Sequence, residues 1–396
     1  MKILSVNAGS SSLKFTAYEM PEEKVLISGA FERIGIGESF YTIKMNGEKI
    51  KKEKEFASHK EAVATLIDEL LENGVISSLE EIEGVGHRLV HGGEKYAESV
   101  VIDEDVVQTV SELSELAPLH NPANLIGVEA FKSEIPSALE VGCFDTAFHQ
   151  TMRKKEFLYP VPYEWYEKYG VRKYGFHGMS HAYIAGRMAE ILGKEDARVI
   201  SCHIGNGASL CAIKDGKSVD TSMGFTPNAG LMMGTRSGDI DATLIPFIMR
   251  KTGESLDEVI NDLNKKSGYL GVSGISSDSR DIEEAVEQGN ERAILSQEMY
   301  VERIVNYIAE YYLELGGADA IVFTAGVGEN SASTRAQIIR SLEPLGIKLD
   351  EEKNQVRGKE ALISTEDSKV KVYVIPTDEE VMIARDTYRF IQERTI

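Results

Sequence analysis

Of the eight histidines in this 396-residue chain, seven fall in short segments that also carry arginine, asparagine, aspartate, serine or glycine. His87, Arg88 and His91 share HRLVHGG, Asp145 and His149 share FDTAFH, and His177 and His181 share YGFHGMSH, while His120 and His203 stand in PLHNP and HIGNG. Arg236 and Asp239 occur together in MGTRSGD, and Asp278 and Arg280 in SSDSRD. Any one of these histidines, taken alone, reads as a hydrogen-bonded structural residue, but packing does not gather them in this way. Zinc is a rival use. None of them stands in H-E-x-x-H or in a Cys/His ligand frame, so a catalytic zinc site is not expected. The stretch VNAGSSSLKFTAYE raises a related question. A hairpin turn needs only about two to five residues, and here a glycine, three serines and Lys14 stand between or beside two apolar runs. Either this is a serine-rich turn, or its backbone N–H and hydroxyl groups face an anion with Lys14 as a point charge.

The elements that would position these groups follow from the pattern. RVISCHIGNGASLCAIKDGKSVD (198–220) can be laid over MKILSVNAGSSSLKFTAYEM (1–20) with Ser201 on Ser5 and Gly205 on Gly9. Both read strand, small-residue turn, strand, and the offset near half the chain suggests two copies of one α/β unit. Turns related by such a duplication could hold a ligand between two domains. GVGHRLVHGG and ALEVGCFDTAFH read as buried strands, ADAIVFTAGVGENSASTRAQIIRSL as a strand, a glycine turn and a helix, and KVYVIPTDEEVMIARDTYRFIQ as a strand and a final helix. KEAVATLIDELLENG and AILSQEMYVERIVNYIAEYYLELGG are helical patterns. Alternation of this kind implies α/β sheets covered by helices, with ligands bound beyond the strand carboxyl ends. The proline- and aromatic-rich YPVPYEWYEKYG places a domain boundary near residue 150.

Composition narrows the partners. The balance of 43 Lys+Arg against 64 Asp+Glu gives a formal charge of −21, which repels nucleic acid and anionic membrane surfaces. Cys143, Cys202 and Cys211 are too few and too scattered for a disulfide framework, and reduced thiols in a cytoplasm fit best. No leader pattern opens the chain, and no stretch approaches the roughly 20 apolar residues of a membrane span. A cytoplasmic protein is expected.

NAGSSSLKF, HRLVHGG, FDTAFH, YGFHGMSH, HIGNGAS, MGTRSGD, AGVGENS and PTDEE, in this order, resemble the acetate kinase family over nearly the whole chain. The resemblance implies the actin-like ATPase fold of the sugar kinases and heat-shock chaperones. Two duplicated ribonuclease-H-like domains would flank a ligand cleft. Residues 1–150, joined by the final helix from about 380 to 396, would form one, and residues 151–380 the nucleotide-binding and dimerisation domain of a homodimer. The implied reaction is reversible transfer of the γ-phosphoryl group of ATP to acetate by direct in-line attack, giving acetyl phosphate and ADP, with Mg²⁺ or Mn²⁺. Propionate or butyrate kinase is the alternative within the family. Acetate is already ionised at pH 7, so no general base is needed. What is needed is neutralisation of two anions and of the phosphoryl oxygens in flight.

On the matching positions, the family's motifs give Arg88, Arg236, His177 and His120 as donors and Asp145 as the orienter of an arginine or of the metal shell. Arg88 would also meet acetate, with Val90, Leu119, Phe176 and Pro227 as the small apolar pocket for its methyl group. Asn7 and Glu379 match the metal-linked positions. The nucleotide contacts would come from Lys14, from His203, Ile204, Gly205, Asn206 and Gly207, from Asp278, Ser279 and Arg280, and from Gly326, Val327, Gly328, Glu329 and Asn330. The chain departs from the family at Ala325, where Gly is frequent, and at Asp378, where the family often has Asn. The second change adds a negative charge near the metal. No G-x-x-x-x-G-K-[ST] occurs, and AGVGEN lacks the rest of a dinucleotide-binding pattern. In PTDEE, Thr377 is expected to cap the final helix with Glu380 as its N3 partner, which leaves Glu379 to face the cleft. A chaperone-type ATPase would need a peptide-binding module, and a sugar kinase a carboxylate base.

Overall fold

Ile3, Leu4, Ser5 and Val6 are buried in succession, so the strand β1 (Lys2–Ala8) is covered on both faces, as an interior strand must be. It turns through Gly9–Ser12 into antiparallel β2 (Leu13–Glu19), with Asn7 directly opposite Lys14. β3 (Lys24–Glu32), β4 (Phe40–Met45) and β5 (Glu48–Glu53) extend the meander to an edge, where β5 is charged and mostly exposed. A charged edge strand resists pairing with other chains. On the other side of β1 run β6 (Ile82–Leu89), the short β7 (Val100–Val101) and β8 (Leu139–Phe144), with β6 parallel to β1 and β8 parallel to β6. The sheet order is β5-β4-β3-β2-β1-β6-β8-β7.

A second sheet repeats this plan with β9 (Arg198–Ile204), β10 (Ala208–Lys214), β11 (Lys217–Thr221), β12 (Ala320–Thr324), β13 (Ala361–Leu362) and β14 (Lys371–Val374). Its order is β11-β10-β9-β12-β14-β13. β3-β2-β1-β6-β8 and β11-β10-β9-β12-β14 therefore correspond strand for strand, antiparallel in the hairpins and parallel beyond them. The duplication read in the sequence is present in the fold, with a turn one residue shorter in the second copy. The computed structural model describes residues 1–395, which divide into two units, Met1–Gln150 with the segment from Asp378, and Thr151–Thr377.

In the first unit, the helix His59–Glu72, capped by Ser58, and the helix Asn121–Glu134 cover one face of the sheet, where Leu66, Val85, Phe131 and Ile135 share a core. The final helix, Glu379–Thr395, lies on the other face. Gly84 and Gly86 admit it. A Cβ at Gly86 would stand 2.3 Å from Thr387 Oγ1 and 2.4 Å from Ile383 Cγ2, so any side chain there would push the helix off the strand.

The start of that helix corrects the expected cap. Asp378 Oδ1, and not Thr377, accepts the hydrogen bond from an early helical N–H, that of Val381 at 3.0 Å. The Thr377 hydroxyl bonds Ser180 at 2.8 Å, and its N–H donates to Glu329 Oε2 at 3.4 Å. An aspartate one residue before the helix also sets its charge at the positive end of the helix dipole.

In the second unit, Asp220 on β11 and Glu310 and Glu314 on the helix Glu291–Glu314 bring carboxylate oxygens within 4.8 Å of one another, and Lys173 Nζ pairs with Asp220 at 2.7 Å. Burial first, then Asp220, lifts the Glu314 carboxyl to about 7. A carboxyl raised in this way stabilises the fold fully below its ordinary value of 4.5, and that contribution is lost as pH rises through about 7. Thermal melts should therefore show Glu314→Gln gaining on the wild type as pH goes from about 5 to about 8. A difference that stays constant with pH would remove Glu314 from this role. All three cysteines are buried and outside disulfides, and no helix among the described residues is long and apolar enough to cross a membrane.

Candidate active site

In the first unit the expected residues gather at the C-terminal ends of β1, β6 and β8. Arg88 Nε and Nη2 donate to the two oxygens of Asp145 at 2.9 and 2.6 Å, a bidentate grip that fixes the guanidinium. Asp145 is only 2% exposed, so Arg88 is its necessary counter-charge, and the carboxylate in turn holds the guanidinium firmly ionised. Nη1 makes no hydrogen bond among the described residues. Asn7, Lys14, Arg88 and Glu379 line one pocket of about 320 Å³. Burial lifts the Glu379 carboxyl to about 7 against the pull of Arg88, with Asp145, Glu380 and Asp378 adding to the rise. Additional positive charge would return that carboxyl to its ionised form. The Asn7 amide and the Glu379 carboxylate are hard oxygen donors of the kind Mg²⁺ takes, so the residues present fit the ion.

Two residues the sequence reading passed over tie this corner together. Asn124 accepts from Val90 N–H at 3.0 Å and donates to the Ala8 carbonyl at 2.9 Å, while Asn121 accepts from His91 N–H at 3.1 Å. Both amides are buried at the head of the helix Asn121–Glu134, and they lock the loop after β6 to the end of β1. His120 precedes that helix on the exposed side, and Leu119 is 73% exposed while Val90 is 5% exposed.

The second unit places its groups around the turn Gly205–Gly207. Arg236 lies against it, since a Cβ at Gly207 would stand 3.3 Å from Arg236 Nη1. That nitrogen donates to the Pro227 carbonyl at 3.1 Å, and no carboxylate pairs with the guanidinium among the described residues. Burial lowers its pKa. An enclosed positive charge without a counter-ion, beside a turn of backbone N–H groups, is a site that wants an anion.

His177, preceded by the buried Phe176, has φ of +56° at the head of the helix Gly178–Leu192. Such strain in a residue other than glycine persists only where the surroundings over-determine it. Here they do. Its Nδ1 bonds Ser209 Oγ at 2.8 Å, and its ring stacks on His203 with centroids 4.0 Å apart. His203 Nδ1 bonds Ser180 at 2.7 Å, and the fully buried His181 bonds Ser201 and Ser209 at 2.8 and 2.9 Å. His181 thus positions the serine that positions His177.

Beside the turn lies a pocket of about 590 Å³. Gly205 and Asn206 line it, as do Asp278, Ser279 and Arg280, and Gly326, Val327 and Asn330. Asp278 caps the helix Ser279–Glu287 and also holds Arg280 Nη2 at 2.7 Å. Ile204 is core, the Gly328 carbonyl accepts from Arg335 at 2.9 Å, and the Glu329 carboxylate serves Thr377, so these three are not among the lining residues. Tyr269 and Tyr300, stacked at 4.3 Å, form an aromatic wall that sequence reading did not find. AGVGEN is a turn of helix, Ala325–Asn330, and not a glycine turn. Ala325 enters it with φ of +66°, a left-handed conformation that costs an alanine about 1 to 2 kcal/mol. Ala325→Gly is therefore expected to raise stability by up to about 1 kcal/mol after the entropy cost of glycine. A urea titration that shows a loss would contradict the strain.

The chain matches the family model described as the acetokinase family over residues 2–385. It is 57% identical to an acetate kinase of Bacillus velezensis across 99% of this chain and 100% of that one. The crystal structure of the Porphyromonas gingivalis acetate kinase superposes with a TM-score of 0.94 at 50% identity, covering 98% of this chain and 99% of that one. A propionate kinase from Francisella tularensis gives 0.92 at 41% identity over 97% and 98%.

Proposed function

This chain belongs to the acetokinase family, and from that premise we propose that its residues move the γ-phosphoryl group of ATP to acetate by direct in-line attack. The chain is an enzyme, a kinase whose acceptor is acetate, with acetyl phosphate and ADP as products. Similarity to the Francisella tularensis propionate kinase is lower than to the Bacillus velezensis and Porphyromonas gingivalis acetate kinases.

The observation that carries the mechanism is the enclosed Arg236 guanidinium, without a carboxylate partner, against the Gly205–Gly207 turn. Its charge is available to the phosphoryl oxygens in flight, where a paired arginine would be spent. His177, fixed by Ser209 and His203, donates to the same oxygens, and His120 is a further donor. Arg88, aligned by Asp145, binds the acetate carboxylate, and Asp145 abstracts no proton because the nucleophile is already an anion. The 590 Å³ pocket takes the nucleotide, with the turn from His203 to Gly207 toward its phosphates. Asn7 and Glu379 would hold Mg²⁺, or Mn²⁺, directly or through water, and the bound ion would neutralise phosphate charge. Family membership also supports a homodimer formed through the second unit and a place in the cytoplasm.

Incubation with MgATP, acetate and hydroxylamine should trap the acyl phosphate as acetohydroxamate, and absence of that product overturns the reading. The buried Val90, which matches the family's small apolar pocket, receives the methyl group. One methylene is worth about 1 to 3 kcal/mol in such a pocket, so Val90→Ala should raise kcat/KM for propionate relative to acetate. An unchanged ratio would remove Val90 from the pocket.

A further inference from the structure

Glu140, on β8 and 8% exposed, has one carboxylate oxygen engaged and one without a partner. Oε2 meets His87 Nε2, while Oε1 is buried and has no hydrogen-bond partner. A carboxylate oxygen buried without a donor is costly, and such exceptions call for an occupant. Glu140 lines a pocket of about 430 Å³ in the first unit, where the starts of β6 and β8 meet the helix Asn121–Glu134 and the last turn of the helix Glu379–Thr395. Arg88 and Asp145 stand at the other ends of the same two strands, so this is not the acetate site.

The chemistry of the lining is mixed in a specific way. Ile102, Leu125, Val128 and Ile391 give it hydrocarbon walls of a kind that suits a small-molecule pocket. Lys132 and Arg394 stand among them, and neither makes an ion pair among the described residues. Glu83 and Glu129 also line the pocket, so a simple anion is not its complement. The set asks for a donor at Glu140, an aliphatic body along the walls and an anionic end for the two cations. We propose that this pocket binds an α-amino acid with an aliphatic side chain, its ammonium on Glu140 Oε1 and its carboxylate on Lys132 and Arg394.

The test is isothermal titration of the full chain, without ATP or acetate, using L-leucine as the probe. Isopentylamine, which lacks the carboxylate, and 4-methylpentanoate, which lacks the ammonium, are the controls. Leucine should bind saturably, with each control at least about tenfold weaker, the worth of one charge-assisted contact. Glu140→Gln should weaken leucine by a similar factor. Because that change also disturbs His87, Lys132→Ala is the second variant; Lys132 is exposed, so its melting temperature should hold while leucine binding falls about tenfold. No saturable binding of leucine, equal binding by Lys132→Ala, or controls that match leucine would each overturn the assignment. None of these results bears on phosphoryl transfer, which the hydroxamate assay reads separately.

Discussion

Arg236→Ala is expected to lower kcat at least about a hundredfold while the melting temperature stays level or rises. The guanidinium is enclosed and has no carboxylate partner, so its removal relieves a desolvation cost and leaves no stranded counter-charge. Arg88→Ala should lose a comparable share of kcat and behave in the opposite way in a melt. Asp145 would then be buried with no cation beside it, and breaking a buried pair from one side costs about 3 to 5 kcal/mol. ATP binding should change little in either variant, because Arg88 meets acetate and the Arg236 charge is wanted chiefly when the phosphoryl group is in flight. Steady-state rates, calorimetric titration with ATP and thermal melts of both variants check the pair. Near-normal kcat in one of them would take that arginine out of the mechanism, and a melting point that falls for both would mean that Arg236 has a structural partner.

Glu379→Ala should raise the Mg²⁺ concentration for half-maximal rate at least about tenfold and cut kcat sharply. The neighbouring acids should part company with it. Asp378→Ala should cost about 0.5 to 2 kcal/mol of stability, as a lost helix cap does, and leave the Mg²⁺ requirement near normal, because its carboxylate is turned onto Val381 N–H. The extra negative charge that Asp378 brings to the motif is spent on the helix end. Glu380→Ala should do little in either assay, since Glu380 is exposed and it is its carbonyl that Ser5 bonds. Magnesium titrations and melts of the three variants decide the assignment, and a metal defect in Asp378→Ala would reverse it.

The fold was legible where burial leaves a one-dimensional trace. β1 and β9 are runs of apolar residues that end in small-residue turns, and such runs survive duplication well enough to be overlaid by eye. The gathering of the candidate residues was legible where polar residues end those runs, as Arg88 and Asp145 do. What sequence missed depends on partners far along the chain. Asn121 and Asn124 look like ordinary helix-head residues until Ala8, Val90 and His91 are seen to need their amides. Tyr300 lies in a helical pattern and Tyr269 in no motif, and only their stacking makes a wall. Thr377 and Asp378 can both cap a helix, and the choice turns on where the first helical residue falls. Glu140 sits in an apolar strand, and nothing in its neighbours along the chain shows that one of its oxygens is unmet.

The close seat of the final helix on Gly84 and Gly86 sets an order in time. Translation delivers residues 1–150 first, yet the face of that sheet which takes Ile383 and Thr387 has no cover until the segment from Asp378 has been made. The second unit is continuous from Thr151 to Thr377 and needs nothing that is synthesised after it. The part that leaves the ribosome first is therefore the last to be completed. During that wait a sheet with a bare apolar face is open to misassociation, and Glu379, which arrives with the covering helix, reaches its place beside Arg88 only at the end. A nascent chain can hold a finished second unit and still lack the corner where Asn7, Arg88 and Glu379 meet.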